Sequence, residues 1–177
     1  MTRRGPIPDS YWLVPDLLLA GEYPGADQDH RARAKLAKFL YAGVRTFIDL
    51  TESSEPLAKY DGLLQTLAVE RGVEIKHLRF SVRDAGVPAE REHMTRILAT
   101  IREEIAAGRP VYVHCWGGIG RTGTVAGCWL VEEGLAGPDA IARIAELRGK
   151  TPDGWNRSPE TDEQRRYICE WRTEEAE

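Results

Sequence analysis

Residues 111–123 read Val-Tyr-Val-His-Cys-Trp-Gly-Gly-Ile-Gly-Arg-Thr-Gly, and this stretch limits the fold most tightly. Pro110–His114 is a short β-branched and aromatic run, which predicts a strand with Val111 and Val113 on the same side. Gly117, Gly118 and Gly120 interrupt it with a turn that needs unusual backbone freedom. Arg121–Glu133 then has helical character as far as Gly134. A buried strand running through a glycine turn into a helix is the repeating unit of layered α/β folds.

The rest of the chain alternates in the same way. Leu17–Ala20 predicts a strand, residues 28–42 a helix closed by Gly43, and Val44–Leu50 a second strand. Tyr60–Arg71 predicts a helix ended by Gly72, and Val73–Phe80 another strand. Residues 88–107 form the clearest helix, because Met94, Ile97, Leu98, Ile101 and Ile105 share one face. Helices are also expected over 138–148, with Pro138 at its first turn, and over 159–174. Residues 1–16 are rich in proline and predict an extended arm anchored by Tyr11 and Trp12. No repeat or linker divides the chain. The expectation is one α/β domain over residues 1–177, three layers deep, with a mainly parallel central sheet flanked by helices.

Composition narrows the function classes. The 177 residues suit one domain with a sizeable core. Lys and Arg number 24 against 28 Asp and Glu, a formal charge of −4, so the basic footprint of a general nucleic-acid binder is missing. No apolar run approaches the ~18 residues of a membrane helix. Arg3-Arg4 is followed by Pro6, Pro8 and Asp9 rather than an apolar signal core, so no export signal is expected. Cys115, Cys128 and Cys169 form no C-x-x-C pair, and His30, His77, His93 and His114 have no metal spacing. No metal or cofactor is therefore expected. The expected setting is the cytoplasm, with reduced thiols and neither nucleic-acid nor membrane partners.

The glycine turn has the makings of an anion cradle. Successive backbone N–H groups can point at one centre, and the following helix adds partial positive charge. It is not a Walker loop, since G-x-x-x-x-G-K-[ST] is absent. Cys115 stands at the start of the turn. A free thiol titrates near 8.5, and helix N-termini and cations lower such values to ~3.5–7.5. Arg121 can fold back across the turn and hold two oxygens of a tetrahedral anion. A thiolate and a forked cation facing one anion site suit nucleophilic attack on phosphorus.

His114-Cys115, five residues, then Arg121-Thr122 resembles the signature of the cysteine-dependent protein tyrosine phosphatase superfamily. Chain length and Trp116-Gly117-Gly118-Ile119-Gly120 resemble its dual-specificity branch, in particular the cyclin-dependent-kinase-associated phosphatase group and small bacterial members. The resemblance implies a phosphocysteine intermediate at Cys115. It implies phosphate binding by Arg121 and by the N–H groups of Trp116, Gly117, Gly118, Ile119, Gly120 and Arg121. It further implies that His114 supports ionisation of the cysteine and that the Thr122 hydroxyl hydrogen-bonds its sulfur.

A phosphoester oxygen leaves poorly as an anion, so an acid must stand beside it. Asp84-Ala85-Gly86-Val87-Pro88 resembles the acid loop of tyrosine phosphatases, and Asp84 precedes Cys115 by 31 residues, a spacing that suits the dual-specificity branch. The Trp-Pro pair before the acid in larger relatives is Val82-Arg83 here. Glu160-Thr161-Asp162-Glu163-Gln164 resembles the Gln-Thr-x-x-Gln loop that positions hydrolytic water, with Glu160 in place of the first Gln. Thr161-x-x-Gln164 equally fits a helix capping box.

The function these resemblances imply is hydrolysis of phosphotyrosine, and of phosphoserine or phosphothreonine, by a monomer acting on phosphorylated proteins or small phosphoesters. A phosphoinositide or inositol phosphate substrate is the first alternative. Lysines in the signature loop are frequent in lipid-phosphate relatives, and here Arg121 is its only cation. A phosphopeptide-binding pseudophosphatase is the second alternative, and such proteins usually lose the Cys, the Arg or the acid.

Overall fold

A computed structural model of the chain describes residues 3–172. Five strands are present: β1 (Ser10–Val14), β2 (Leu18–Gly21), β3 (Thr46–Asp49), β4 (Lys76–Arg79) and β5 (Val111–His114). The helices are α1 (Asp29–Tyr41), α2 (Asp61–Arg71), α3 (Arg91–Ala106), α4 (Arg121–Glu132), α5 (Gly137–Arg148) and α6 (Asp162–Glu170). The sheet order is β1-β2-β5-β3-β4. Only β1 runs antiparallel, so the mainly parallel α/β sheet expected from the sequence is what forms.

The centre of the sheet is β5, and all four of its residues are buried. Its alternation divides the core in two. Val111 and Val113 face a cluster built with Met94, Ile97, Ile101, Val125 and Ile144, from α3, α4 and α5. Tyr112 faces the opposite cluster, with Leu36 and Phe39 of α1 and Leu64 and Leu67 of α2. Helices thus cover both faces, as parallel strands with no polar side require. The predicted stripe on α3 is buried at Met94, Ile97, Leu98 and Ile101, and Ile105 is partly buried.

Three expectations differ from the structure. Ser10–Val14 is a strand and not part of an arm, and of the described residues before it, 3–9 turn back on the strand, where Arg4 bridges to Tyr11, and do not extend. Pro8 and Pro15 bracket this strand, and an edge position tolerates them. The fourth strand is confined to Lys76–Arg79, a short charged edge, and begins three residues later than Val73. The last helix starts at Asp162, where Thr161 caps it, and ends at Glu170; the expected residues 173 and 174 lie outside the described part. No helix among the described residues is long and apolar enough to cross a membrane. No group of three or more His, Cys, Asp or Glu among them could hold a metal ion.

Candidate active site

The carboxyl ends of β2, β3 and β5 meet in register at Gly21, Asp49 and His114. A parallel sheet opens its loops at this edge, and the glycine turn leaves from it. Gly118 has φ +71°, a left-handed conformation natural to glycine. A Cβ there would lie 2.3 Å from the carbonyl carbon of Gly21, so the turn is seated directly on the end of β2. The Tyr23 N–H donates to the Trp116 carbonyl at 2.7 Å, and Ser158 Oγ donates to the Ile119 carbonyl at 2.7 Å. These bonds fasten both sides of the turn. Cys115 is only 3% exposed and lies at its floor, whereas Trp116 is 60% exposed at its rim.

Arg121 is buried and held from several directions. Its Nη1 donates to Glu55 Oε1 at 2.5 Å and to the Val82 carbonyl at 3.0 Å. Its Nη2 donates to Glu55 Oε2 at 3.1 Å and lies 3.2 Å from Asp84 Oδ1. Glu55 therefore occupies one edge of the guanidinium in a two-pronged pair. On the second edge Nε makes no hydrogen bond among the described residues, and Asp84 stands beside Nη2, so this is the edge on which an anion would meet Asp84. Burial works against ionisation of Glu55, but hydrogen bonds from Arg121 and the Glu52 N–H outweigh it and hold the carboxyl below its ordinary range. The nearby carboxylates keep Arg121 charged despite its burial.

His114 is buried behind the cysteine. Its Nδ1 lies 3.1 Å from the Cys115 carbonyl and its Nε2 lies 2.6 Å from Tyr60 Oη. A carbonyl can only accept, so Nδ1 carries the proton and Nε2 accepts from the tyrosine hydroxyl. Burial pulls the imidazole down from 6.5 to about 4. Between these values the unfolded chain binds a proton that the folded one refuses. Stability is therefore expected to fall as pH drops from about 6.5 towards 4, by roughly 3 kcal/mol from this group, and the group adds no further loss below 4. Urea unfolding across this range should show the slope in the wild type and a flatter one in His114→Asn. Equal slopes would assign the effect elsewhere.

A buried carboxylate supports this layer. Asp49 Oδ2 accepts from His77 Nε2 at 3.0 Å and from Arg79 at 3.2 Å, while Oδ1 accepts the Thr51 N–H at 2.9 Å. Burial alone would raise its pKa, and these bonds overcome that and leave it well below the usual range.

The other expected site residues fall into place unevenly. Asp84 is 64% exposed yet reaches Arg121, and the chain turns after it through Ala85 at φ +57°, a strained position for a residue with a side chain. Gln164 is buried against the turn: a Cβ on Gly120 would lie 3.0 Å from its Nε2. Its Oε1 accepts the Glu160 and Thr161 N–H groups, and its Nε2 donates to the Gly86 carbonyl at 3.0 Å. The capping box is formed, so Gln164 joins α6 to the Asp84 loop. The hydroxyl-to-sulfur bond expected of Thr122 is not made. Its Oγ1 is buried with no hydrogen-bond partner among the described residues, and its side chain lines a small apolar hollow with Leu18, Ala20 and Val113.

Glu55, Tyr60 and Ser158 escaped the sequence reading. Each belongs to a segment far from Cys115 along the chain, and none carries a local spacing signal. A glutamate soon after the carboxyl end of β3 was the one clue, and it needed the strand order to become useful.

Comparison with known proteins places this geometry. Residues 8–167 match the family described as Swiss Army Knife protein, DSP-PTPase phosphatase domain. The 067L protein of Invertebrate iridescent virus 3, which bears a tyrosine phosphatase name, is 27% identical over 122 residues, covering 67% of this chain and 44% of its own. The MJECL20 protein of Methanocaldococcus jannaschii is 31% identical over 103 residues, covering 58% of this chain and 64% of its own. The chain thus spans less than two thirds of either relative. Among solved structures, Tk-PTP in its active form superposes with a TM-score of 0.67 at 27% identity, over 93% of this chain and 96% of that one. Kinase associated phosphatase shares the fold, with a TM-score of 0.70 at 18% identity over 95% and 94% of the two chains.

Proposed function

This chain belongs to the DSP-PTPase phosphatase domain family; from that premise we propose that it is a phosphatase of the protein-tyrosine and dual-specificity kind, hydrolysing phosphotyrosine in proteins through a phosphocysteine intermediate. The observation that carries the reading is the meeting of three groups. Cys115 is buried at the start of the glycine turn, Arg121 keeps its Nε edge clear of Glu55, and Asp84 stands 3.2 Å from the Nη2 on that edge.

In this mechanism the substrate phosphoryl group rests on the turn N–H groups and on the Nε and Nη2 edge of Arg121. Glu55 and the Val82 carbonyl fix the opposite side, so the fork is oriented before substrate arrives. The Cys115 thiolate attacks phosphorus. The S–P bond forms as the ester P–O bond breaks, and Asp84 gives its proton to the departing oxygen. Asp84, now a carboxylate, takes a proton from the incoming water. Inorganic phosphate leaves and the thiolate is restored. His114 orients the carbonyl next to the nucleophile, and Gln164 steadies the Asp84 loop through Gly86.

An exposed aromatic ring beside the nucleophile supports an aryl ester: Cys115 is buried, and the adjoining Trp116 indole is 60% exposed and available to stack on the ring of phosphotyrosine. Arg121 is the only cation in the signature loop, which disfavours multiply phosphorylated headgroups.

Turnover of phosphotyrosine, phosphoserine and phosphoinositide panels without added metal tests the reading. Phosphotyrosine peptides are expected to rank first, and a phosphoinositide in first place would overturn it. Arg121→Lys is expected to lose roughly 100–1,000-fold in kcat, because lysine keeps the charge but not two parallel donors. Near wild-type activity in that variant would make Arg121 a structural residue.

A further inference from the structure

Away from the active site, unpaired positive charge gathers along the edge strand β1. Two adjoining hollows of about 420 Å³ each flank the N-terminal segment, one reaching residues 150–152 and the other the end of α1. Their linings carry Arg3, Arg4, Lys38, Arg71 and Lys150 and no Asp or Glu. Arg3 pairs with Asp16. The other four are exposed and form no ion pair among the described residues. Such clustering is unusual in a chain of net charge −4, and it creates a positive field that draws an anionic ligand.

The groove is also preformed. Trp12 Nε1 donates to the Arg4 carbonyl at 3.3 Å, Arg4 bridges to Tyr11, and Ser10 Oγ donates to the Ile7 carbonyl at 2.7 Å. These bonds pin the segment that forms the shared wall. The apolar surface offered between the cations is that of Pro6 and Pro152, with Trp12 and Leu147 buried beneath them, and Tyr41 stands 91% exposed at one end.

We propose that this groove docks an extended acidic segment of the protein substrate, at a distance from the phosphorylated residue. Cations alternating with apolar surface fit a peptide that alternates acidic and apolar side chains. A bare oligophosphate would leave the proline and aromatic surface unused. A bilayer is flat and cannot reach the floor of a concave groove. The location favours a substrate segment as well. The groove ends at residues 150–152, and the same loop continues to Ser158, which is bonded to the signature turn at Ile119. A peptide leaving the groove there is directed towards the rim of the active site.

The effect on turnover rests on the phosphotyrosine reading, whereas docking itself does not, so the test separates them. Fluorescence anisotropy of a labelled, unphosphorylated peptide of alternating glutamate and leucine would be measured on the wild-type chain and on Lys38→Glu/Arg71→Glu/Lys150→Glu. All three positions are exposed, and none belongs to the catalytic machinery. Binding to the wild type is expected to weaken with salt and to fall roughly tenfold or more in the variant. The variant should also lose kcat/KM on a glutamate-flanked phosphotyrosine peptide while hydrolysing p-nitrophenyl phosphate at the wild-type rate. Peptide binding that is absent, or indifferent to the charge reversal, overturns the proposal. Tighter binding of inositol hexakisphosphate or of phosphatidylserine vesicles than of peptide also overturns it. If no phosphopeptide is turned over at all, the anisotropy still decides docking, and only the substrate reading fails.

Discussion

Cys115→Ser is expected to abolish turnover of every phosphomonoester and to leave phosphate-ester binding in place. A hydroxyl is a far weaker nucleophile than a thiolate at neutral pH. The groups proposed to hold the phosphoryl group do not depend on the sulfur. Gly118 is seated on Gly21, the Ile119 carbonyl is held by Ser158, and the Arg121 fork is fixed by Glu55 and the Val82 carbonyl. Calorimetric titration with a phosphotyrosine peptide should therefore show a complex in the variant, with no phosphate released. Substantial turnover by the serine variant would end the covalent proposal. Peroxide should inactivate the wild type at the same residue, since the nucleophilic thiol enters the oxidation ladder first, and inorganic phosphate should protect it.

Asp84→Asn is expected to divide substrates by their leaving groups. General acid catalysis contributes about 10²–10⁴-fold and matters most when the departing oxygen is basic. The loss in kcat/KM should approach that range on phosphotyrosine or an alkyl phosphate. It should shrink on p-nitrophenyl phosphate, whose phenol is already acidic. The geometry suits this role: the carboxylate is 64% exposed, within reach of incoming substrate, and stays 3.2 Å from the arginine proposed to hold the phosphoryl group. Equal defects on both leaving groups would move the acid to another residue. Glu90 and Glu92, just after Pro88, would then be tested in turn.

How far the sequence disclosed this arrangement depended on whether the cause was local. The strand ending at His114, the glycine turn and the helix from Arg121 were legible because apolar alternation, glycine and helical periodicity all act within a few residues. The buried face of α3 was legible for the same reason. The strand at Ser10–Val14 was hidden by its flanking prolines, whose cost vanishes at an edge. The start of α6 was misplaced because Thr161 and Gln164 admit two readings, and only the packing of Gln164 on Gly120 and Gly86 shows which bonds it makes. Glu55 and Tyr60 were invisible for a deeper reason. Each meets the site through the order of strands in the sheet, which brings the loop after β3 beside β5. Nothing in the spacing of either residue from Cys115 encodes that order. The cations along β1 stand far apart in the chain and gather only in the fold.

The covalent step is the centre of the proposed mechanism, and Asp84→Asn offers a way to catch it. With p-nitrophenyl phosphate the first step needs little acid help, while breakdown of the intermediate still needs Asp84 as base. The variant is expected to release a burst of p-nitrophenol equal to the enzyme present. Acid quenching during the steady state, followed by proteolysis and mass spectrometry, should then find one phosphoryl group on the peptide containing Cys115. A linear release with no adduct, or an adduct on any other residue, would contradict the assignment of Cys115 as the nucleophile.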